Sequence, residues 1–111
     1  MRYVFDLDGT LCTQTDGDYT RALPLVKRIE VVNKLFEEGN HISIHTARGM
    51  SRYKNDRSLA EEQFRKLTEN QLKSWGVKYH ELFLGKPAAD VYIDDKAMKD
   101  NDYFEANREQ F

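Results

Sequence analysis

The chain has little that would place it outside ordinary globular proteins. It has one cysteine, Cys12, in 111 residues, which excludes an internal disulfide framework and fits a reducing compartment. No apolar run approaches the roughly 18 residues that suggest a membrane span. The apolar start is interrupted at Asp6, which does not suit a secretory leader. There are no internal repeats and no low-complexity linkers. The formal net charge is only −2, so no strong overall field draws nucleic acid or anionic lipid. These absences exclude secreted disulfide scaffolds and membrane spans, disfavour nucleic-acid partners, and give a cytoplasmic location as the expectation. At this length residues 1–111 form one domain with one core.

The order of elements is more informative. Tyr3, Val4 and Phe5 read as a short buried strand ending in "DLDGT". A polar stretch over 11–23 follows, with a turn at Asp16-Gly17-Asp18. Pro24 is suited to a first helical position, and Leu25, Ile29, Val32 and Phe36 then form one stripe of a helix stopped by Gly39. "HISIHT" alternates as a strand. Ser58 and Glu61 have capping-box spacing ahead of a helix carrying Phe64, Leu67, Leu72 and Trp75, which ends at Gly76. "ELFLG" and "DVYID" read as two further strands. The tail from Ala97 to Phe111 is polar apart from Tyr103, Phe104 and Phe111. This alternation predicts an α/β domain, a Rossmann-like three-layer sandwich with a central parallel sheet and helices on both faces.

In such sheets ligands sit at the carboxyl ends of the strands. Asp6 and Asp8, Thr46, and Asp94 and Asp95 all end predicted strands and would share one edge. Alone, Asp-Gly is a hairpin-turn signal, and Asp94-Asp95 is a solvated acidic pair. Together they suit phosphoryl transfer through a carboxylate. Asp6 would be the nucleophile, and Asp8 would protonate the leaving oxygen and then activate water. Gly9 would let backbone amides approach the phosphate. Thr46 would donate to a phosphate oxygen, and Lys86 would oppose the developing charge. Carboxylate and phosphate repel, so magnesium is expected between them, held by carboxylates from Asp6, Asp94 and Asp95.

The four stretches resemble the four motifs of the haloacid dehalogenase superfamily of phosphatases. "DLDGT" is similar to the nucleophile motif, Thr46 in "IHTARG" to the second, Lys86 in "LGKP" to the third, and Asp94-Asp95 in "YIDDKA" to the fourth. The resemblance implies a Rossmann-like fold, magnesium dependence, a phosphoaspartate at Asp6, and metal contact through the backbone carbonyl of Asp8. An acid at Asp8 also suits a phosphatase better than a dehalogenase or a transport ATPase. The "TARG" and "YIDDKA" segments are further similar to small uncapped proteins of capsule or polysaccharide biosynthesis.

The stretches 9–23 and 47–85 are too short for a cap domain besides the required helices. The site is therefore expected to be open, closed by loop 11–23, loop 48–57 or a second subunit. Arg48 reads either as a ligand for substrate phosphate or sugar or as an exposed loop residue. Arg52, Lys54 and Arg57 read as a solvated basic loop. His45 is expected to point to the face opposite Thr46, and Cys12 to be a small core residue. The leading expectation is a magnesium-dependent phosphomonoesterase for a sugar, polyol or other small phosphorylated molecule, with a homo-oligomer among the expected partners. A nucleotide or nucleic-acid end phosphatase and a non-catalytic binding module are the alternatives.

Overall fold

The computed structural model describes residues 1–106. Phe111 lies outside the described residues. Strands β1 (Arg2–Phe5), β2 (His41–Thr46) and β3 (Glu81–Leu84) form a parallel sheet in the order β1-β2-β3. Helix α1 (Val26–Glu37) connects the first two strands, α2 (Arg57–Ser74) the second and third, and α3 (Asp100–Ala106) closes the described chain. No helix is long and apolar enough to cross a membrane among these residues.

The expected α/β class with a parallel sheet is what the chain adopts. The helix layers differ from the expectation of two covered faces. Both crossovers step in the same direction along the sheet, so right-handedness sets α1 and α2 on the same face. Register pairs Phe5 with Ile44 and Ile44 with Leu82, and all three side chains are buried on that face. The alternate residues point the other way, where Val4 is 67% and Phe83 40% exposed.

Helix α3 joins the covered face. Phe104 is buried and packs 6.1 Å from the Phe5 ring, with Tyr103 edge-on to Phe5 at 5.9 Å. Arg28 of α1 lies 4.7 Å over the Phe104 ring and pairs with Asp100 at 2.7 Å. The aromatic pair in the polar tail therefore docks on its own domain. Burial of a ring such as Phe104 stabilises by about 1.5–3 kcal/mol.

Three boundaries differ from the sequence reading. Helix α1 begins at Val26 because Pro24 is used elsewhere: it forms an antiparallel bridge with Cys12, and the Leu25 amide donates to the Leu11 carbonyl. The cap of α2 is Asp56, whose carboxylate accepts from the Leu59 amide at 3.2 Å. Glu61 cannot complete the Ser58 capping box because it is engaged by Arg65 at 2.6 Å.

The third difference concerns the segment 90–94, which forms no strand. Its apolar residues stand in solvent, with Ile93 94% exposed. The connection leaving β3 is tied down on other partners. Ala88 donates to the Asn55 side chain, Tyr92 bonds the Pro87 carbonyl, and the Lys86 ammonium rests 4.3 Å over the Tyr92 ring.

Candidate active site

The first acidic residue emerges from β1 into a tight turn. Thr10 and Leu11 amides both donate to the Leu7 carbonyl, and the Gly9 amide donates to the Cys12 carbonyl. Gly9 adopts φ +84°, and a Cβ there would lie 2.6 Å from the Gln14 side chain. Glycine is needed for this conformation and this close approach. Gly9 makes the sharp turn expected of it, and its own amide proton closes that turn on the Cys12 carbonyl.

The turn presents the Asp6 carboxylate, about one-third exposed, between two side chains. Thr10 donates its hydroxyl to Asp6 at 3.0 Å, and the Lys86 ammonium lies 3.4 Å from the other oxygen. Lys86 follows β3, and its amide donates to the Thr46 carbonyl at 3.1 Å. The ends of β1, β2 and β3 are thus bound together around Asp6 by side chain and backbone alike.

Asp8 has a different setting. Arg48 grips it as a fork, Nε to one oxygen at 2.9 Å and Nη2 to the other at 3.0 Å. The remaining guanidinium protons are directed to Thr68 at 3.2 Å, Gln71 at 2.6 Å and the Cys12 sulfur. The Tyr19 ring covers the group at 4.9 Å. Arg48 is 1% exposed. Neither reading of this arginine from sequence survives, because it is neither on the surface nor free to bind substrate. A buried guanidinium with every donor satisfied is held by the carboxylate and amide oxygens that surround it.

Thr46 is also buried, and its hydroxyl oxygen accepts from the Arg48 amide at 3.2 Å. Cys12 is a core residue as expected. Its thiol lies 3.4 Å from Asp8, and burial, reinforced by the Asp8 charge, pushes its pKa up to about 12.

Asp94 and Asp95 are not brought to this cluster as strand-end residues. Both are exposed, and Asp94 accepts from the Lys96 amide at 2.9 Å, a bond that holds its carboxyl below the usual range. Among the described residues no group of three or more acidic, histidine or cysteine side chains is arranged to hold a metal. The Asp8 carbonyl accepts from Gln14 at 3.3 Å, which leaves its second lone pair for a further partner. As placed, Asp6, Asp94 and Asp95 are not gathered into the carboxylate cage expected from sequence.

Three neighbours were not singled out for this site from sequence: Thr10, Gln14 and His45. His45 points away from the Thr46 face, as expected, and register makes this the Asp6 face: Phe5 pairs with Ile44, so Asp6 and His45 are the next neighbours. Burial lowers the His45 pKa, with Lys86 adding to the effect and Asp6 opposing it. Period-two alternation combined with strand register carried that signal.

No protein-family profile matches the chain, and no curated protein does. Solved structures do match. A structural-genomics target from Vibrio cholerae is 30% identical, with a TM-score of 0.87 over 98% of this chain and 91% of that one. A chain from the Pnkp1/Rnl/Hen1 complex is 19% identical, with a TM-score of 0.57 over 94% of this chain, and this chain spans 33% of its length. The second likeness concerns the fold alone. With 30% identity over nearly the full length of both, this chain and the Vibrio cholerae protein belong to one family.

Proposed function

We propose that the protein is a magnesium-dependent phosphomonoesterase that works through a phosphoaspartate at Asp6, on a sugar, polyol or similar small phosphate. The observation that carries this reading is the Asp6 carboxylate, accessible at a strand end between the Thr10 hydroxyl and the Lys86 ammonium. An Asp6 oxygen attacks phosphorus, the bond from phosphorus to the leaving oxygen breaks, and that oxygen takes a proton. Water then attacks the phosphorus of the acyl phosphate and restores Asp6. Lys86 offsets charge on the transferring group.

Asp8 takes the proton role when one of its oxygens leaves Arg48, since both now accept from the guanidinium. Magnesium dependence belongs to the proposal because carboxylate and phosphate repel. The side chains as they stand do not form its cage, and Asp94 and Asp95 would have to approach Asp6.

The basic loop supports a small substrate over a nucleic-acid end. Arg52, although exposed, is engaged within the chain, bonding the Gly17 carbonyl at 2.8 Å and covering the Phe64 ring at 5.2 Å. The Arg57 stem lies against Gly85. The likeness of "TARG" and "YIDDKA" to capsule-biosynthesis phosphatases supports a precursor of surface polysaccharide.

The test is phosphate release from sugar, polyol and nucleotide monophosphates, with magnesium, with chelator, and with Asp6→Asn. Turnover that needs magnesium and falls at least ~10³-fold in Asp6→Asn is expected for a lost nucleophile. No turnover on any ester, in a folded protein that does not bind magnesium, would favour a non-catalytic binding module.

A further inference from the structure

A polar cleft of about 210 Å³ opens beside the first acidic turn, lined by Gln14, Thr15, Asp16 and Arg21. We propose that this cleft binds the polyhydroxylated leaving group of the phosphomonoester, a single sugar or polyol unit. The proposal rests on the phosphatase reading and gives it a specificity site.

One wall of the cleft touches the turn that follows Asp6. Gln14, which forms one wall, donates to the Asp8 carbonyl and packs against Gly9. A group seated beside Gln14 is thus next to the turn that carries Asp6.

The lining suits hydroxyl groups, which donate and accept at once. Gln14 offers a carboxamide, Asp16 an acceptor and Arg21 a fan of donors. Arg21 is exposed and has no ion-pair partner among the described residues. Thr15 completes the lining, its own hydroxyl oxygen closed off from solvent.

Size and composition narrow the class. The volume is below the roughly 300–1,000 Å³ of sites for drug-sized ligands, which suits one sugar unit. No aromatic side chain lines it, so it lacks the stacking surface on which bases are held.

The loop that carries the walls is tied to the domain at Tyr19 and Gly17. The Gln71 amide donates to the Tyr19 carbonyl at 2.7 Å, and the Gly49 amide donates to the Tyr19 hydroxyl at 3.0 Å. The tip is fixed by Arg52 on the Gly17 carbonyl. A site ordered in advance binds without the cost of ordering it.

The experiment compares glucose 1-phosphate, methyl phosphate and AMP as substrates of the wild-type protein, Arg21→Ala and Asp16→Asn. It also follows amide resonances as glucose 1-phosphate or inorganic phosphate is added. The ratio of kcat/KM for glucose 1-phosphate over methyl phosphate should fall about tenfold in Arg21→Ala, the loss of one charged hydrogen bond. Glucose 1-phosphate should shift residues 14–16 and 21 where inorganic phosphate does not. An unchanged ratio, equal shifts from both ligands, or AMP turned over as well as glucose 1-phosphate would overturn the proposal. If wild type hydrolyses no ester, the phosphatase reading fails. The cleft is then decided by the resonances alone: selective shifts at 14–16 and 21 keep it as a sugar-binding site, and their absence removes it.

Discussion

Asp8 in "DLDG" and Asp94 in "YIDD" are introduced by similar apolar runs, yet they come to opposite surroundings. Asp8 is held by a bidentate arginine that is itself sealed under Tyr19 and anchored on α2 through Thr68 and Gln71. Asp94 stands in solvent with the amide of Lys96 as its partner. An acid at the end of an apolar run acquires a fixed geometry only when a second element supplies the counter-charge. For Asp8 that element is the β2–α2 connection. The 86–99 connection supplies no equivalent for Asp94.

The strongest way to break the contrast is to remove the counter-charge. Arg48→Ala strands Asp8 and leaves the buried Thr68 hydroxyl and the half-buried Gln71 oxygen without their donor, and should lower stability by about 3–5 kcal/mol, as expected when one member of a buried pair is lost. Urea titration reads the change. A loss under 1 kcal/mol would mean that the fork contributes no more than a surface pair.

A smaller effect is expected at the Arg28–Asp100 pair, which is partly exposed and joins α1 to α3. The hydrogen bond from Arg28 is the main cause of the lowered Asp100 pKa. The folded value is therefore below the unfolded one. Its stabilisation is present above the unfolded value of about 4 and is lost as pH falls through the depressed folded value. Asp100→Asn should cost about 0.5–1 kcal/mol at neutral pH, and its stability should fall less steeply than that of wild type below pH ~4. Equal slopes in thermal melts across that range would contradict the assignment.

At the small end, Asp94→Asn and Asp95→Asn should each leave the melting temperature without magnesium unchanged, as for exposed positions away from structural contacts. If these acids approach Asp6 when magnesium is added, the same substitutions should abolish the stabilisation by magnesium seen in melting curves. Unaltered magnesium stabilisation in both would remove them from the metal site. Cys12 offers a probe of the sealed side: with its pKa pushed up to about 12, iodoacetamide at pH 7.5 should leave it unmodified by mass spectrometry, because the thiolate is the nucleophile.

Much of the fold could be read locally. Ile42 and Ile44 alternate, Ile29 and Val32 repeat at helical spacing, and Gly39 stops α1 with φ +94°, all because side-chain periodicity and backbone sterics act within a few residues. The start of α1 was not legible, since Pro24 is recruited by Cys12 across a loop. The fourth strand was misread for a related reason. Val91 and Ile93 alternate as a strand would, but a strand exists only where a neighbour completes its ladder.

At the site, sequence singled out Asp6, Asp8, Thr46, Arg48 and Lys86. The structure joins Lys86 to Asp6 and Arg48 to Asp8. The role of Arg48 was hidden because its partners, Asp8, Thr68 and Gln71, come from three separate places in the chain. His45 was hidden because its proximity to Asp6 depends on which residue of β1 lies opposite which residue of β2.

By itself the sequence determined the alternation of strand and helix, the direction of the sheet, and the carboxylate at the end of β1, since these follow from periodicity, turn sterics and the short reach of each crossover. Only the tertiary structure decided that the helices share one face, that Arg48 is buried against Asp8, and that residues 90–94 stay outside the sheet. Each of those depends on free energy shared between residues far apart in the chain, where a contact forms only if its partner is already in place.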